Sequence, residues 1–295
     1  MNLSIFVWLF TCATLLATDY PREFDLLKNG GDDANIKALI AAWLKNEPDK
    51  PDAYIAAANY YANKASGIGE STKPAEQGDL VVVDPKTGKA VGSLYNTINP
   101  QIAKTAMEYL RQALEKFPQR LDIWFGLASL QEKFGDFNGE LLTLKEMVRF
   151  AKANVTILRN YKGEPLSTDA NKLLPEKLHD YATYYYEKKT AADDEKMVQI
   201  ARLSAESYPG HDYAFNDIAA YYSNKGDFKN ARLYFEKALN ANSKDTLVLL
   251  NLGDVCVKLK DIKKAREYYE RVVQIDPKSE DATSAREALQ QSALK

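Results

Sequence analysis

Two stretches decide the fold: residues 212–245, DYAFNDIAAYYSNKGDFKNARLYFEKALNANSKD, and residues 246–279, TLVLLNLGDVCVKLKDIKKAREYYERVVQIDPKS. Laid one under the other they repeat at 34 residues, with Phe215 on Leu249, Tyr222 on Cys256, Ala231 on Ala265 and Phe235 on Tyr269. A period of this length marks a helix–turn–helix unit that cannot bury its apolar face alone and stacks on a copy of itself. In the first stretch Phe215, Ile218, Ala219 and Tyr222 recur at helical spacing, Gly226 breaks the pattern, and Ala231, Phe235 and Ala238 resume it. In the second, Leu249, Leu252, Gly253 and Cys256 precede Ala265, Tyr269 and Val272, and Pro277 stops the helix because proline cannot continue the hydrogen-bond ladder. The small residues Ala219, Gly253, Ala231 and Ala265 let paired helices approach closely, and the large ones fill the space beside them.

These residues resemble the tetratricopeptide repeat family, whose pattern runs W-x2-L-G-x2-Y, then A-x3-F, then P. Asn251-Leu252-Gly253 and Asp276-Pro277 carry the strongest part of the match. The resemblance implies an all-α fold, a right-handed α-solenoid of about five helix pairs over residues 19–292, with the repeats themselves in roughly 33–292. Weaker copies extend it backwards. Trp124, Leu127 and Ala128 form a first helix, Gly135-Asp136-Phe137 the turn, and Leu144 and Met147 lie on the second helix, where Glu140 stands in place of the family's alanine. Tyr54, Ala57, Ala58 and Tyr61 pair with Ala106, Leu110, Ala113 and Pro118, and Ile36, Ile40, Trp43 and Pro48 read as a lone capping helix. The middle, about 161–210, is degenerate: Leu178, Tyr181, Ala182 and Tyr185 mark a first helix, and Met197, Ala201 and Pro209 its partner. The helix of Leu144 is expected to run on to about Asn160, which places the sequon Asn154-Val155-Thr156 mid-helix. Residues 280–292 read as a polar C-terminal cap helix.

Residues 64–100 interrupt one repeat between its two helices. Within them 79–94 predicts a β-hairpin: Val81 to Val83 favour a strand, Pro85 presets the turn, and Gly88 takes the left-handed position that closes it. Two strands alone are marginal in water, so the hairpin leans on the helices or on a partner. A docking arm and a padded loop both remain open for it.

The totals exclude several classes of function. Net charge is -2 over 295 residues, so the basic excess of a nucleic-acid binder is missing. The two histidines, His179 and His211, make no zinc spacing with each other or with cysteine, and no phosphate-binding loop occurs, so neither a metal nor a cofactor is expected. Asp193, Asp194 and Glu195 cap a helix start through its dipole. The consecutive Tyr184, Tyr185 and Tyr186 span three directions of a helix, so at most two are core. Cys256 falls on an inward slot and reads as a buried, inert thiol. The chain is expected to be no enzyme; the alternative is a cleft near His179.

Residues 3–17, LSIFVWLFTCATLLA, are uncharged and apolar, short for a membrane span and right for the core of a secretory signal. Residues 1–18 are therefore expected to be a signal peptide or membrane anchor, with a lipid on Cys12 as a further alternative, and the chain to be periplasmic or secreted. In the family the first helices line a concave groove that holds peptides, and the resemblance places Ile55, Asn59, Phe125, Ser129, Asn216, Ala220, Leu250 and Asp254 there, with His179 beside them. Family members that clamp a chaperone's terminal carboxylate use lysine at such places. None of the eight is lysine, so a chaperone-tail clamp is not expected. The expected role is a non-catalytic scaffold for a protein or peptide with apolar side chains, and the alternative is a structural subunit or assembly factor of an envelope complex.

Overall fold

The computed structural model describes residues 18–28, 30, 32–75 and 79–290, so the apolar run 3–17 and Cys12 lie outside the described residues. The chain divides into two compact units, 1–116 and 117–295.

In the first unit, α1 (Tyr20–Leu27) packs against α2 (Asp33–Asn46), followed by α3 (Asp52–Ala65), strands β1 (Ser66–Ser71), β2 (Leu80–Val83) and β3 (Ala90–Ile98), and α4 (Pro100–Lys116). The helix of Ile36, Ile40 and Trp43 is thus not alone: Tyr20 of α1 stacks on Trp43 of α2 with centroids 5.8 Å apart. A run of alanines on α3 (53, 56, 57, 58, 62 and 65) is buried, and so are Ala103, Ala106 and Ala113 of α4. Alanine keeps full helix propensity while allowing close packing. The insertion leaves this pair intact because its ends meet: Asn99 N donates to Ala65 O at 2.8 Å. Asn99 Oδ1 then caps α4 by accepting from Gln101 N and Ile102 N, both at 3.1 Å, with Pro100 in the first turn where its missing N–H is harmless.

The predicted hairpin is present as β2–β3, with Gly88 at φ 65° and Asp84 Oδ1 accepting from Lys86 N and Thr87 N. It also has a third strand. β1 pairs antiparallel with β3, giving the order β1-β3-β2. Ser-Gly-Ile-Gly-Glu-Ser carries little strand signal, and pairing supplies what propensity does not: a Cβ on Gly69 would sit 2.5 Å from the Tyr95 ring, so that ring lies over the glycine backbone.

The second unit holds four helix pairs and a cap among the described residues: α5 (Leu121–Lys133) with α6 (Phe137–Ala153), α7 (Ala170–Glu187) with α8 (Ala191–Ser207), α9 (Asp212–Asn224) with α10 (Phe228–Ala241), α11 (Thr246–Lys258) with α12 (Ile262–Ile275), and α13 (Glu280–Gln290). The turns share one construction. Gly135 and Gly226 take φ of 77° and 74°, and the following aspartates cap the next helix, Asp136 through Gly139 N at 3.0 Å and Asp227 through Asn230 N at 3.2 Å. The last turn uses Lys260 in the same left-handed region and Asp261 as the cap.

The degenerate middle departs from expectation in one place. α6 ends at Ala153, well short of Asn160, and Asn154 closes it by donating its side-chain amide to Phe150 O at 2.9 Å. The sequon is therefore at a helix end, not mid-helix. The chain continues through a 3-10 turn at Val155–Ile157, buries Leu158, and is tied to the start of α5: Arg159 N donates to Gln119 O at 2.8 Å, and Arg120 Nη2 to Tyr161 O at 2.6 Å. Those long-range ties end the helix, and helical periodicity does not register them.

The densest packing is in the last repeats, where Ala219, Ala231, Phe235, Leu249, Leu252, Cys256, Ala265, Tyr269 and Val272 form one buried cluster, capped by Ala282 and Ala285 of α13. Burial pushes the Cys256 thiol up to about 11, which keeps it protonated and inert. At Gly253 a Cβ would lie 2.3 Å from the Tyr269 ring. That ring is 1% exposed and its hydroxyl donates to Asp254 Oδ1 at 2.6 Å, so it cannot swing aside. Gly253→Ala gains about 1 kcal/mol of helix propensity and incurs an overpacking cost of roughly 1–3 kcal/mol. Chemical denaturation is expected to show a net loss of about 1 kcal/mol, and a larger one for Gly253→Leu; a stabilised Gly253→Ala protein would mean that the helices are not held apart by this ring.

Candidate partner-binding face

The face predicted for partner binding is built from the first helix of each pair. In the first unit, Ile55 is half-buried and Asn59 exposed on α3. In the second unit the predicted residues come from α5, α7, α9 and α11, and the structure treats them unequally.

Phe125 and Ser129 of α5 share an open cleft of about 390 Å³ with Glu132 of α5 and with Lys177, Asp180 and Tyr181 of α7. Tyr181 holds the two helices together: its hydroxyl donates to Phe125 O at 3.1 Å and lies 3.3 Å from Ser129 Oγ, and burial pushes its pKa up to about 12, so it stays a donor. Lys177 and Asp180 form an exposed ion pair at 2.7 Å on the rim. Burial also pushes the Glu132 carboxyl up, with Lys188 pulling the other way.

His179 is also on α7 but does not line that cleft; it faces α9. Its Nδ1 is 2.8 Å from Asp217 Oδ2 on α9, and its ring stacks on Tyr213 with centroids 5.1 Å apart. The Asp217 carboxylate raises the histidine's pKa; burial pushes Asp217 up while His179 pulls it down. The contact makes His179 a bridge between two first helices. On α9, Asn216 and Ala220 are half-buried, and Asn216 Oδ1 has no hydrogen-bond partner among the described residues. On α11, Leu250 is half-buried; Asp254 is exposed but already accepts from Tyr269.

Sequence reasoning missed Glu132, Lys177, Asp180 and Tyr181 as part of this face. Glu132 stands three residues beyond Ser129, so one more helical turn finds it. Tyr181 has the spacing of a core anchor, and its ring does both jobs. Among the described residues no group of three or more His, Cys, Asp or Glu side chains is arranged to hold a metal ion.

Beside this face lies a buried polar site. Glu140 is 0% exposed, at the α6 position where the repeat pattern has alanine. Tyr185 of α7 donates to its Oε2 at 2.5 Å, while its Oε1 and the Oε1 of buried Gln131 have no partner among the described residues. Of the three consecutive tyrosines only Tyr185 is buried; its ring meets Phe137 edge-on and lies 5.1 Å from Lys196 Nζ. Burial raises the Glu140 pKa from 4.5 to about 7, against the pull of Tyr185 and the lysines at 188 and 196.

Residues 225–289 match the family model described as tetratricopeptide repeat. No curated protein sequence is significantly similar to the chain. Among solved structures, the Arabidopsis OM64 TPR domain is 18% identical, with a TM-score of 0.37 over 42% of this chain and 99% of that one. MamA is 12% identical, with a TM-score of 0.38 over 61% and 85% of the two chains. The first TPR of Spaghetti (RPAP3), bound to an HSP90 peptide, is 18% identical, with a TM-score of 0.35 over 40% and 94%. At these scores the bound peptide is a fact about that protein alone.

The Glu140 site gives a pH signature. The unfolded chain ionises this carboxyl near 4.5 and the folded chain near 7, so between those values the native state binds the extra proton. Stability then falls as pH rises through that window, by at most about 1.4 kcal/mol per pH unit from this group, and levels off above it. Thermal unfolding of Glu140→Gln, which keeps an acceptor for Tyr185, should show a flatter dependence between pH 4.5 and 7 than the parent. Identical slopes would mean that Glu140 is ionised in both states.

Proposed function

The chain carries tetratricopeptide repeats, and from that premise we propose that it is a non-catalytic scaffold whose first-helix face in the second unit binds a protein or peptide segment. The observation that carries this reading is the cleft between α5 and α7, open to solvent and lined mainly by apolar surface at Phe125 and Tyr181, with His179, Asn216 and Leu250 half-buried on the same set of helices. Partly covered apolar residues between helices are what a bound segment completes. A chaperone tail is a poor candidate, because the clamp positions carry no lysine and the cleft presents Glu132 and Asp180 to an incoming carboxylate. His179 serves as a structural bridge in this reading rather than as a general base.

We place the scaffold outside the cytoplasm or at a membrane surface because residues 3–17 have the composition of a signal or anchor. Among the described residues no helix is long and apolar enough to cross a membrane.

One observation favours a second reading, a structural subunit or assembly factor of an envelope complex. The sheet exposes Ile68 (71%), Leu80 (68%), Val81 (55%) and Val83 (53%). Strand alternation puts Ile68 and Leu80 on one face of the sheet and Val81 and Val83 on the other, so apolar side chains stand in water on both faces and association would cover them.

Affinity capture from the native envelope fraction separates the two. With the residues after Thr18 as bait, Phe125→Arg and Leu250→Arg should each reduce capture at least fivefold under the groove reading, and Leu80→Thr/Val81→Thr/Val83→Thr should leave it unchanged. The reverse pattern supports the assembly reading. Capture that survives all of these changes removes both.

A further inference from the structure

We infer that the cleft between α5 and α7 is a cation-binding subsite, one that takes a lysine or arginine side chain of the bound segment with its stem against Phe125 and its charged end at Glu132. The inference rests on the groove reading and names the chemistry of its anchor.

Three independent observations converge on it. The first is an unspent charge. The Glu132 carboxylate lines the cleft, is half-buried, and among the described residues makes no hydrogen bond or ion pair. The cation on the opposite rim, Lys177, is already committed to Asp180 at 2.7 Å. Lys188 is close enough to act on Glu132 through space, but its ammonium lies over the Tyr184 ring, 4.1 Å from the centroid. A carboxylate partly stripped of water without a partner is unfavourable, and burial raises the pKa of Glu132 accordingly. An incoming cation relieves that cost, whereas an incoming carboxylate adds to it.

The second is the helix end. Glu132 is in the last turn of α5, which ends at Lys133. The carbonyls of Leu130, Gln131 and Glu132 already accept from Phe134 N, Asp136 N and Gly135 N, so only the residual helix dipole adds to the sign of the side chain here.

The third is the wall. Phe125 and Tyr181 line the same cleft as the carboxylate, and Tyr181 is fixed by its bonds to Phe125 O and Ser129 Oγ. Aromatic faces attract ammonium and guanidinium groups by about 0.5–2 kcal/mol, depending on desolvation. A volume of about 390 Å³ lies at the small end of ligand clefts, which suits one long side chain threaded along an apolar stem.

Selection from a random dodecapeptide phage library tests this on the chain after Thr18, with Glu132→Gln and Leu250→Arg as parallel baits and circular dichroism as the folding control. The expected result is a set of parent-selected peptides that share one lysine or arginine position, lost on the Glu132→Gln bait. A selected lysine peptide should then bind about tenfold more tightly than its norleucine counterpart by fluorescence anisotropy, and on Glu132→Gln that preference should shrink to the small remainder the aromatic wall and helix end supply. Enriched peptides that depend on Leu250 but share no basic position, or a lysine preference undiminished in Glu132→Gln, overturn the subsite and leave the groove reading standing. No enrichment on the parent protein overturns the groove reading and the subsite together.

Discussion

The structure depends on one steric constraint: the two helices of a repeat must come closer than ordinary side chains allow. Gly253 meets the ring of Tyr269 in the last repeat, where Ala265 is fully covered, and Ala219 and Ala231 are fully covered along the seam of the repeat before it. Close approach brings the large residues of one helix over the small ones of its partner, and packing density then supplies the stability that helix propensity alone cannot. It also sets the geometry of the outer face. The first helices are held at a fixed spacing by their partners, so residues one or two turns apart on neighbouring first helices meet across a cleft. The Tyr181 bonds to Phe125 and Ser129 and the His179–Asp217 pair are two such meetings. Binding geometry in this unit thus follows from seam packing behind it.

This constraint also explains what the sequence reveals and what it hides. A seam needs small residues at fixed intervals, so Phe215 to Tyr269 expose the repeat to simple counting, and the turn triplets Gly135-Asp136-Phe137 and Gly226-Asp227-Phe228 mark the breaks. Contacts between repeats have no such period. Glu140 and Tyr185 are 45 residues apart, and nothing local to Glu140 announces a partner. The early end of α6 is imposed by Arg159 and Tyr161 bonding back to the start of α5. β1 is hidden for the complementary reason: its glycines weaken any strand signal, and its conformation is set by β3 and the Tyr95 ring. At the candidate face, the repeat register is enough to put the residues next to each anchor on first helices. Glu132 is not legible in that register, because its significance lies in having no partner, which only a spatial arrangement can show.

Glu140 and Glu132 make an instructive pair. Both are carboxylates whose pKa burial raises, and they are close enough for Glu132 to push Glu140 up further. Glu140 has no exposed surface and one strong donor in Tyr185, so it meets the cost of burial mainly by holding a proton. Glu132 opens onto a cleft and can meet the same cost by accepting a ligand.

The sheet follows a different logic. The bond from Asn99 N to Ala65 O closes the insertion at its base, so the helix pair α3–α4 is complete without it. Core formation therefore does not account for Leu80, Val81 and Val83, which remain largely in water. A strand with outward-facing aliphatics and an unpaired edge is an aggregation liability that folded proteins ordinarily blunt with charge. Here Asp84 and the lysines at 86 and 89 sit at the turn rather than within β2. Apolar exposure without a role in the helical core is the pattern of a surface that association can cover.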